Sequence, residues 1–119
     1  MPGETSNTIG NGQWLLRGNS LFSEDGSVEF KMQEDGKIAI YWGGECRWQN
    51  TAQQRYDVKG LIMQGDGNLV LYTNGGEAIW HSNTASPSGN DTCVATIRNN
   101  GQLVVYKGTN IYDVGVTKA

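Results

Sequence analysis

Gln64, Asp66, Asn68, Val70 and Tyr72 stand at every second position of one short segment, and together they offer a mixed set of hydrogen-bonding groups. A carboxylate accepts, an amide donates and accepts, and a phenol does either, so the set suits a ligand dense in hydroxyls. Val70 adds a small apolar spot for the carbon face of a ring. On a fully extended strand the five side chains would share one face, yet eight residues at about 3.3 Å each would hold Gln64 roughly 26 Å from Tyr72. No single sugar ring spans that distance. A chain reversal over Gly65-Asp66-Gly67-Asn68 instead brings Gln64 and the long Tyr72 side chain to a common patch, with Asp66 and Asn68 at the turn. On the residues alone a second reading stands beside this one: Asp66 and Asn68 serve only the turn, while Gln64 and Tyr72 cover a sheet surface.

The elements that would position these groups recur along the chain. F-K-M-Q-E-D-G-K-I-A-I-Y ends at Tyr41, L-I-M-Q-G-D-G-N-L-V-L-Y at Tyr72 and A-T-I-R-N-N-G-Q-L-V-V-Y at Tyr106, so the tyrosines fall 31 and then 34 residues apart. Each copy is a short apolar stretch, a polar turn around Gly36, Gly67 or Gly101, and a second apolar stretch. Short runs rich in Ile, Val, Leu and Tyr, separated by Asp-Gly or Asn-Gly, read as strands joined by tight turns. No twelve-residue window carries a helical period. The sequence therefore predicts an all-β chain of about eleven or twelve short strands in three groups. A unit this short is stable only when its copies share a core, and three short antiparallel sheets around a pseudo-threefold axis form the simplest closed arrangement. The aromatics that follow each copy, Trp48, Trp80 and Tyr112, are expected on that axis, where large rings bury much apolar area.

Composition narrows the function classes. A length of 119 residues is room for about one domain on a scale of roughly 100 to 200 residues each, so residues 1–119 are read as one domain with repeats at roughly 14–50, 51–83 and 84–119. With 17 Gly, 2 Pro and only 18% charged residues, a helical bundle is disfavoured. The net charge is −3 and the basic residues are scattered singly from Arg17 to Lys118, which argues against a nucleic-acid partner, because counterion release needs concentrated positive charge. No apolar run approaches the ~20 residues of a membrane-spanning helix, so no membrane insertion is expected. The start, Met-Pro-Gly-Glu-Thr-Ser-Asn, lacks the basic and apolar regions of a secretory signal, which predicts a cytoplasmic protein or one exported without a signal peptide. In that setting the sequon Asn90-Asp91-Thr92 reads as a polar loop. Cys46 and Cys93 have neither a zinc nor a Cys-x-x-Cys spacing and read as reduced, mostly buried thiols, with a single disulfide as the alternative.

Catalysis is poorly served. Glycoside cleavage needs paired carboxylates, and each copy offers at most one at the patch, since Glu34 beside Asp35 points elsewhere. His81 is the single histidine and reads as an ordinary half-exposed side chain. Two scattered cysteines and one histidine make no transition-metal site. Glu34-Asp35-Gly36 lacks the alternating ligands and distant Glu of a calcium loop. The Gly65-x-Gly67 pair lacks the following helix of a phosphate cradle. No cofactor, metal or enzymatic activity is expected.

The segment Gln64 to Tyr72 resembles, letter for letter, the Q-x-D-x-N-x-V-x-Y signature of the monocot mannose-binding lectins, the snowdrop agglutinin-like bulb-type family. The three spaced copies, the M-Q-E-D and M-Q-G-D lead-ins, I-W-H-S-N-T after the middle copy and L-L-R-G-N-S-L near the start extend the resemblance from about Trp14 to the end. It implies the β-prism II fold and metal-independent binding of mannose, mannose-rich glycans or the glycoproteins that carry them. It further implies that Gln64 and Tyr72 bond the sugar's 3- and 4-hydroxyls, Asp66 and Asn68 its axial 2-hydroxyl, and Val70 packs on the ring. In the first copy Gln33, Asp35 and Tyr41 hold family positions, but Lys37 replaces Asn and Ala39 replaces Val, so a weaker site is expected. In the third copy Val104 and Tyr106 are kept while Arg98, Asn100 and Gln102 replace Gln, Asp and Asn, which makes mannose binding there doubtful. The family's plant members commonly carry a disulfide inside one repeat, whereas Cys46 and Cys93 lie in different segments, and no disulfide is carried over. Dimeric plant members imply that the tail from Tyr106 to Ala119 is long enough to supply a strand to a partner, making a homodimer. The alternative to a lectin is a prism-fold structural or protein-interaction module with degenerate sugar sites.

Overall fold

The computed structural model describes the backbone of residues 7–50, 54–82, 93–107 and 110–114, and the side chains of these except 107 and 110–113. Among the described residues the secondary structure is twelve strands and no helix. They are β1 (Thr8–Ile9), β2 (Trp14–Leu16), β3 (Ser20–Phe22), β4 (Glu29–Met32), β5 (Ile38–Trp42), β6 (Glu45–Gln49), β7 (Val58–Met63), β8 (Leu69–Thr73), β9 (Ala78–His81), β10 (Val94–Ile97), β11 (Leu103–Lys107) and β12 (Asn110–Asp113). They pair into three four-stranded antiparallel sheets, ordered β3-β4-β5-β6, β2-β7-β8-β9 and β1-β10-β11-β12. The all-β, three-sheet architecture expected from the repeats is therefore present. Consecutive strands supply three of the four in the latter two sheets, and the N-terminal strands β1 and β2 complete them from a distance.

The three central hairpins share one geometry because they share one turn. Gln33, Gln64 and Arg98 each accept at the carbonyl from the glycine three residues on, and each donates its N–H to the carbonyl of the residue after that glycine, at 2.9 to 3.1 Å. Gly36, Gly67 and Gly101 hold φ of 87°, 91° and 84°, the left-handed conformation that closes a three-residue hairpin loop and that a side chain disfavours. A Cβ on Gly36 would also stand 2.5 Å from the Arg55 carbonyl oxygen.

Alternation along these hairpins sends every second side chain inward. Phe30 faces Ile40 and Met32 faces Ile38; Leu61 faces Leu71 and Met63 faces Leu69; Ala95 faces Val105 and Ile97 faces Leu103. All twelve are buried and belong to one apolar cluster shared by the three sheets. Each large aliphatic among them contributes about 1.5 to 3 kcal/mol on leaving water, which a lone small sheet could not collect on both faces.

The aromatic residues sit differently from expectation. Trp48 and Trp80 do meet, edge to face with ring centroids 6.4 Å apart, but both are only half-buried where they pack against the aliphatic core. Their strands β6 and β9 lie at sheet edges, and each ring stands in register with a buried core residue, Trp48 with Ile40 and Trp80 with Leu71. The Tyr112 side chain, the sequon at Asn90-Asp91-Thr92 and the tail beyond Val114 lie outside the described residues. Cys93 is buried as expected, whereas Cys46 is exposed, and both thiols are free. Cys46 pairs with Tyr41 across the outer face of edge strand β6, and that position overrides the usual preference of cysteine for the interior.

Candidate functional site

Gln64 follows the last residue of β7 and Tyr72 lies on β8, so the hairpin turn brings their side chains together. The Tyr72 hydroxyl donates to Gln64 Oε1 at 2.7 Å. Gln64 Nε2 leans on the Asp66 carboxylate at 3.4 and 3.5 Å, distances long enough to leave it available to a better-placed acceptor. Asp66 Oδ1 in turn accepts the Asn68 backbone N–H at 2.9 Å, and Asn68 Oδ1 accepts the Ser82 hydroxyl at 3.1 Å. One chain of hydrogen bonds thus runs from Tyr72 through Gln64 and Asp66 to the Asn68 backbone, while Ser82 orients the Asn68 side chain. Val70 forms the floor. It is only 4% exposed, because Ile62 and His81 flank it in register on the neighbouring strands.

Two features beside this patch escaped the sequence reading. Ser82, just past β9, buttresses Asn68 and also accepts the Leu69 N–H through its hydroxyl at 3.0 Å; its signal was the serine of the W-H-S-N-T run. Trp14 of β2 lies against Tyr72, with ring centroids 6.0 Å apart. The register slips between Val58 and Gly60, and this bulge turns Lys59 onto the outer face, where Nζ stands 4.3 Å from the Trp14 ring centroid. Gly60 permits the close approach of β2, since a Cβ there would meet the Leu15 carbonyl oxygen at 2.6 Å. Trp14, Lys59, Tyr72 and Asn74 line an open cleft of about 270 Å³ adjoining the patch.

The first copy repeats the arrangement with altered groups. The Tyr41 hydroxyl donates to Gln33 Oε1, and Gln33 Nε2 donates to Asp35 Oδ1 at 3.1 Å. Lys37 takes the Asn68 position, its backbone N–H held by Asp35 Oδ1 at 3.0 Å, and Ala39 is fully buried where Val70 lies. Burial, reinforced by the charges of Cys46, Asp35 and Glu29, pushes the Tyr41 phenol above its ordinary value. A cleft of about 420 Å³ beside Tyr41 is lined by Phe22, Glu29, Lys31 and Trp42, and so differs in character from that beside Tyr72.

The third copy keeps the turn but not the network. Asn100 Oδ1 caps the Gln102 N–H at 3.0 Å, as the aspartates do elsewhere. Arg98 Nη1 donates to Gln102 Oε1 at 3.1 Å, and Asn100 Nδ2 reaches the same oxygen at 3.5 Å. Val104 is buried at the floor and Tyr106 borders a cleft of about 400 Å³. His81 is exposed. Among the described residues, no three of His, Cys, Asp and Glu gather as a metal-ligand set.

No family model matches the chain. Over 93 residues it is 36% identical to the B-type lectin plumieribetin of Scorpaena plumieri, spanning 78% of this chain and 80% of that one. It is 32% identical over 81 residues to a mannose-specific lectin of Aloe arborescens, covering 67% and 72% respectively. Among solved structures it is similar to the mannose-specific agglutinin of snowdrop, Galanthus nivalis, complexed with methyl α-D-mannoside. That similarity has a TM-score of 0.73 and 30% identity over 96% of this chain and 100% of that one.

Proposed function

We propose, from the premise that this chain belongs to the monocot mannose-binding, bulb-type lectin family with its β-prism II fold, that it binds mannose and mannose-rich glycans at Gln64, Asp66, Asn68, Val70 and Tyr72. The observation that carries the proposal is the convergence of Tyr72, Gln64, Asp66 and Asn68 in one hydrogen-bonded chain on the outer face of a hairpin. In the complex the Tyr72 hydroxyl and the Gln64 amide meet the 3- and 4-hydroxyls, while Asp66 and Asn68 share the axial 2-hydroxyl. No proton or metal is needed for that recognition, and one carboxylate per site gives no acid–base pair, so the chain acts without catalysis. Ser82 donates to the Asn68 side-chain oxygen and so restrains the amide that would meet the 2-hydroxyl.

Hydroxyl recognition in a shallow wet site gains only about 0.5 to 1.5 kcal/mol net per hydrogen bond, so a single site is weak and avidity comes from repeated sites or from a homodimer. The middle copy binds best. Lys37 and Ala39 weaken the first, because a flexible ammonium does not reproduce the planar amide. The test is calorimetric titration with methyl α-mannoside, with and without a chelator. Binding that survives chelation supports the proposal; loss in chelator with recovery on adding calcium refutes the metal-free mechanism, and silence in both refutes the mannose site.

A further inference from the structure

The three equivalent turns have the same backbone, so the chemistry of their side chains can be compared position by position. The five signature positions carry a single carboxylate, Asp66, in the middle copy, and a carboxylate with an ammonium, Asp35 and Lys37, in the first. In the third they carry a guanidinium, Arg98, and no carboxylate. Its hydrogen bonding is inverted as well. In the other two copies the tyrosine donates to a glutamine that donates to an aspartate. In the third, the Arg98 and Asn100 donors converge on the one Gln102 oxygen, and the Tyr106 hydroxyl has no partner among the described residues. The half-buried Arg98 forms no ion pair among the described residues, although it lines a cleft of about 400 Å³ with Asn100 and Tyr106. The result is a cleft that carries a planar cation and the Tyr106 hydroxyl, with the amides of Asn7, Asn99 and Asn100 and the Glu24 carboxylate also in its lining.

We propose that this third site, lined by Arg98, Asn100 and Tyr106, takes the carboxylate of an acidic sugar, a uronic acid in place of mannose. The guanidinium fork matches a carboxylate in two parallel bonds, and the Tyr106 hydroxyl supplies a third donor. Glu24 lines the same cleft, and the Asn99 side chain ties its loop by accepting the Asp25 N–H at 2.9 Å. It is exposed and opposes an incoming anion from a position that water screens. The proposal rests on the saccharide-binding reading of the fold but not on mannose at Tyr72.

The test is titration with methyl glucuronide and methyl glucoside, which differ only in the carboxylate, followed by the backbone amide resonances of the full chain. Glucuronide should move the Arg98, Gln102 and Tyr106 signals, with glucoside weaker by about tenfold or more, the scale of a lost charge-assisted hydrogen bond. Arg98→Gln, which restores the glutamine of the other copies, should abolish the glucuronide effect while leaving mannoside signals around Tyr72 in place, a control that also reports folding. Should that variant fail to fold, Arg98→Lys keeps the charge but loses the fork and should still weaken binding. Glu24→Gln should strengthen it. Glucuronide binding that Arg98→Gln leaves unchanged, shifts confined to Gln64–Tyr72, or equal shifts from acetate at the same concentration would each overturn the proposal. Glucuronide binding at Arg98 without mannoside binding at Tyr72 would sustain it and remove the mannose reading instead.

Discussion

Replacing Tyr72 by Phe removes one oxygen and keeps the ring that packs 6.0 Å from Trp14. The lost hydroxyl donates to Gln64 Oε1 at 2.7 Å and, in the proposed complex, also meets a sugar hydroxyl. Without it the Gln64 amide must be ordered by the ligand instead of by the protein, so binding loses one contact and the benefit of a second. At about 0.5 to 1.5 kcal/mol each, the two together cost about 1 to 3 kcal/mol of affinity. That is about 5- to 150-fold in Kd, at roughly 1.4 kcal/mol per tenfold. Folding loses one half-exposed hydrogen bond and no buried carbon, so stability should fall by about 1 kcal/mol or less. Calorimetric titration with methyl α-mannoside, run beside a thermal melt, separates the two effects. Tyr106→Phe is the internal control and should leave mannoside affinity where it was. Wild-type affinity in Tyr72→Phe, or a loss matched by Tyr106→Phe, would refute the hydrogen-bonded chain as the source of binding.

Trp80→Ala should destabilise the protein by about 3 kcal/mol, the lower part of the range for large aromatics because the ring is half-buried, and denaturant melts should show it while mannoside still binds the folded fraction. Gly67→Ala forces a side chain into φ 91° and should cost about 1 to 2 kcal/mol, together with misplaced Asp66 and Asn68 and weaker mannoside binding. Mannose should be preferred to glucose, whose equatorial 2-hydroxyl leaves Asp66 or Asn68 unmatched at about 1 to 3 kcal/mol, and Asn68→Ala should erase the preference; equal binding of the two sugars by the wild type would contradict the assignment. Tyr41 should ionise late in an alkaline ultraviolet titration, because burial first and then the charges of Cys46, Asp35 and Glu29 oppose the phenolate. The stability tied to its neutral form is full below the ordinary 10.0 and is lost as pH rises through the higher folded value, a dependence that Tyr41→Phe should flatten.

Much of this fold was legible because its strongest signals are local. Each hairpin carries its own turn glycine and its own alternation, so the three groups and the meeting of Gln64 with Tyr72 follow from neighbouring residues. What escaped depends on distant pairing. Thr8–Ile9 and Trp14–Leu16 are too short to show a period, and nothing near Trp14 announces that it stands opposite Ile62 and beside Tyr72. The Lys59 bulge is a mismatch between two strands and is invisible in either alone. Cys46 was misplaced because residue type says nothing of whether a strand lies at a sheet edge. The size of Trp48 and Trp80 suggests full burial, but they lie on edge strands and are half-buried against the core.

The remote origin of β1 and β2 also governs how the chain reaches this structure. The three hairpins close loops of a few residues and can form early and independently, whereas Thr8 meets Thr96 across 88 residues of sequence. Until that happens β10 and β7 each present an open edge, the surface on which sheets recruit strands from other molecules. The N-terminal strands therefore act as late-arriving seals, and folding should be limited, on the millisecond-to-second scale of long-range β topologies, by their docking rather than by the turns. A chain shortened past Leu16 would keep all three central hairpins and lose the strands that cover the edges of β10 and β7.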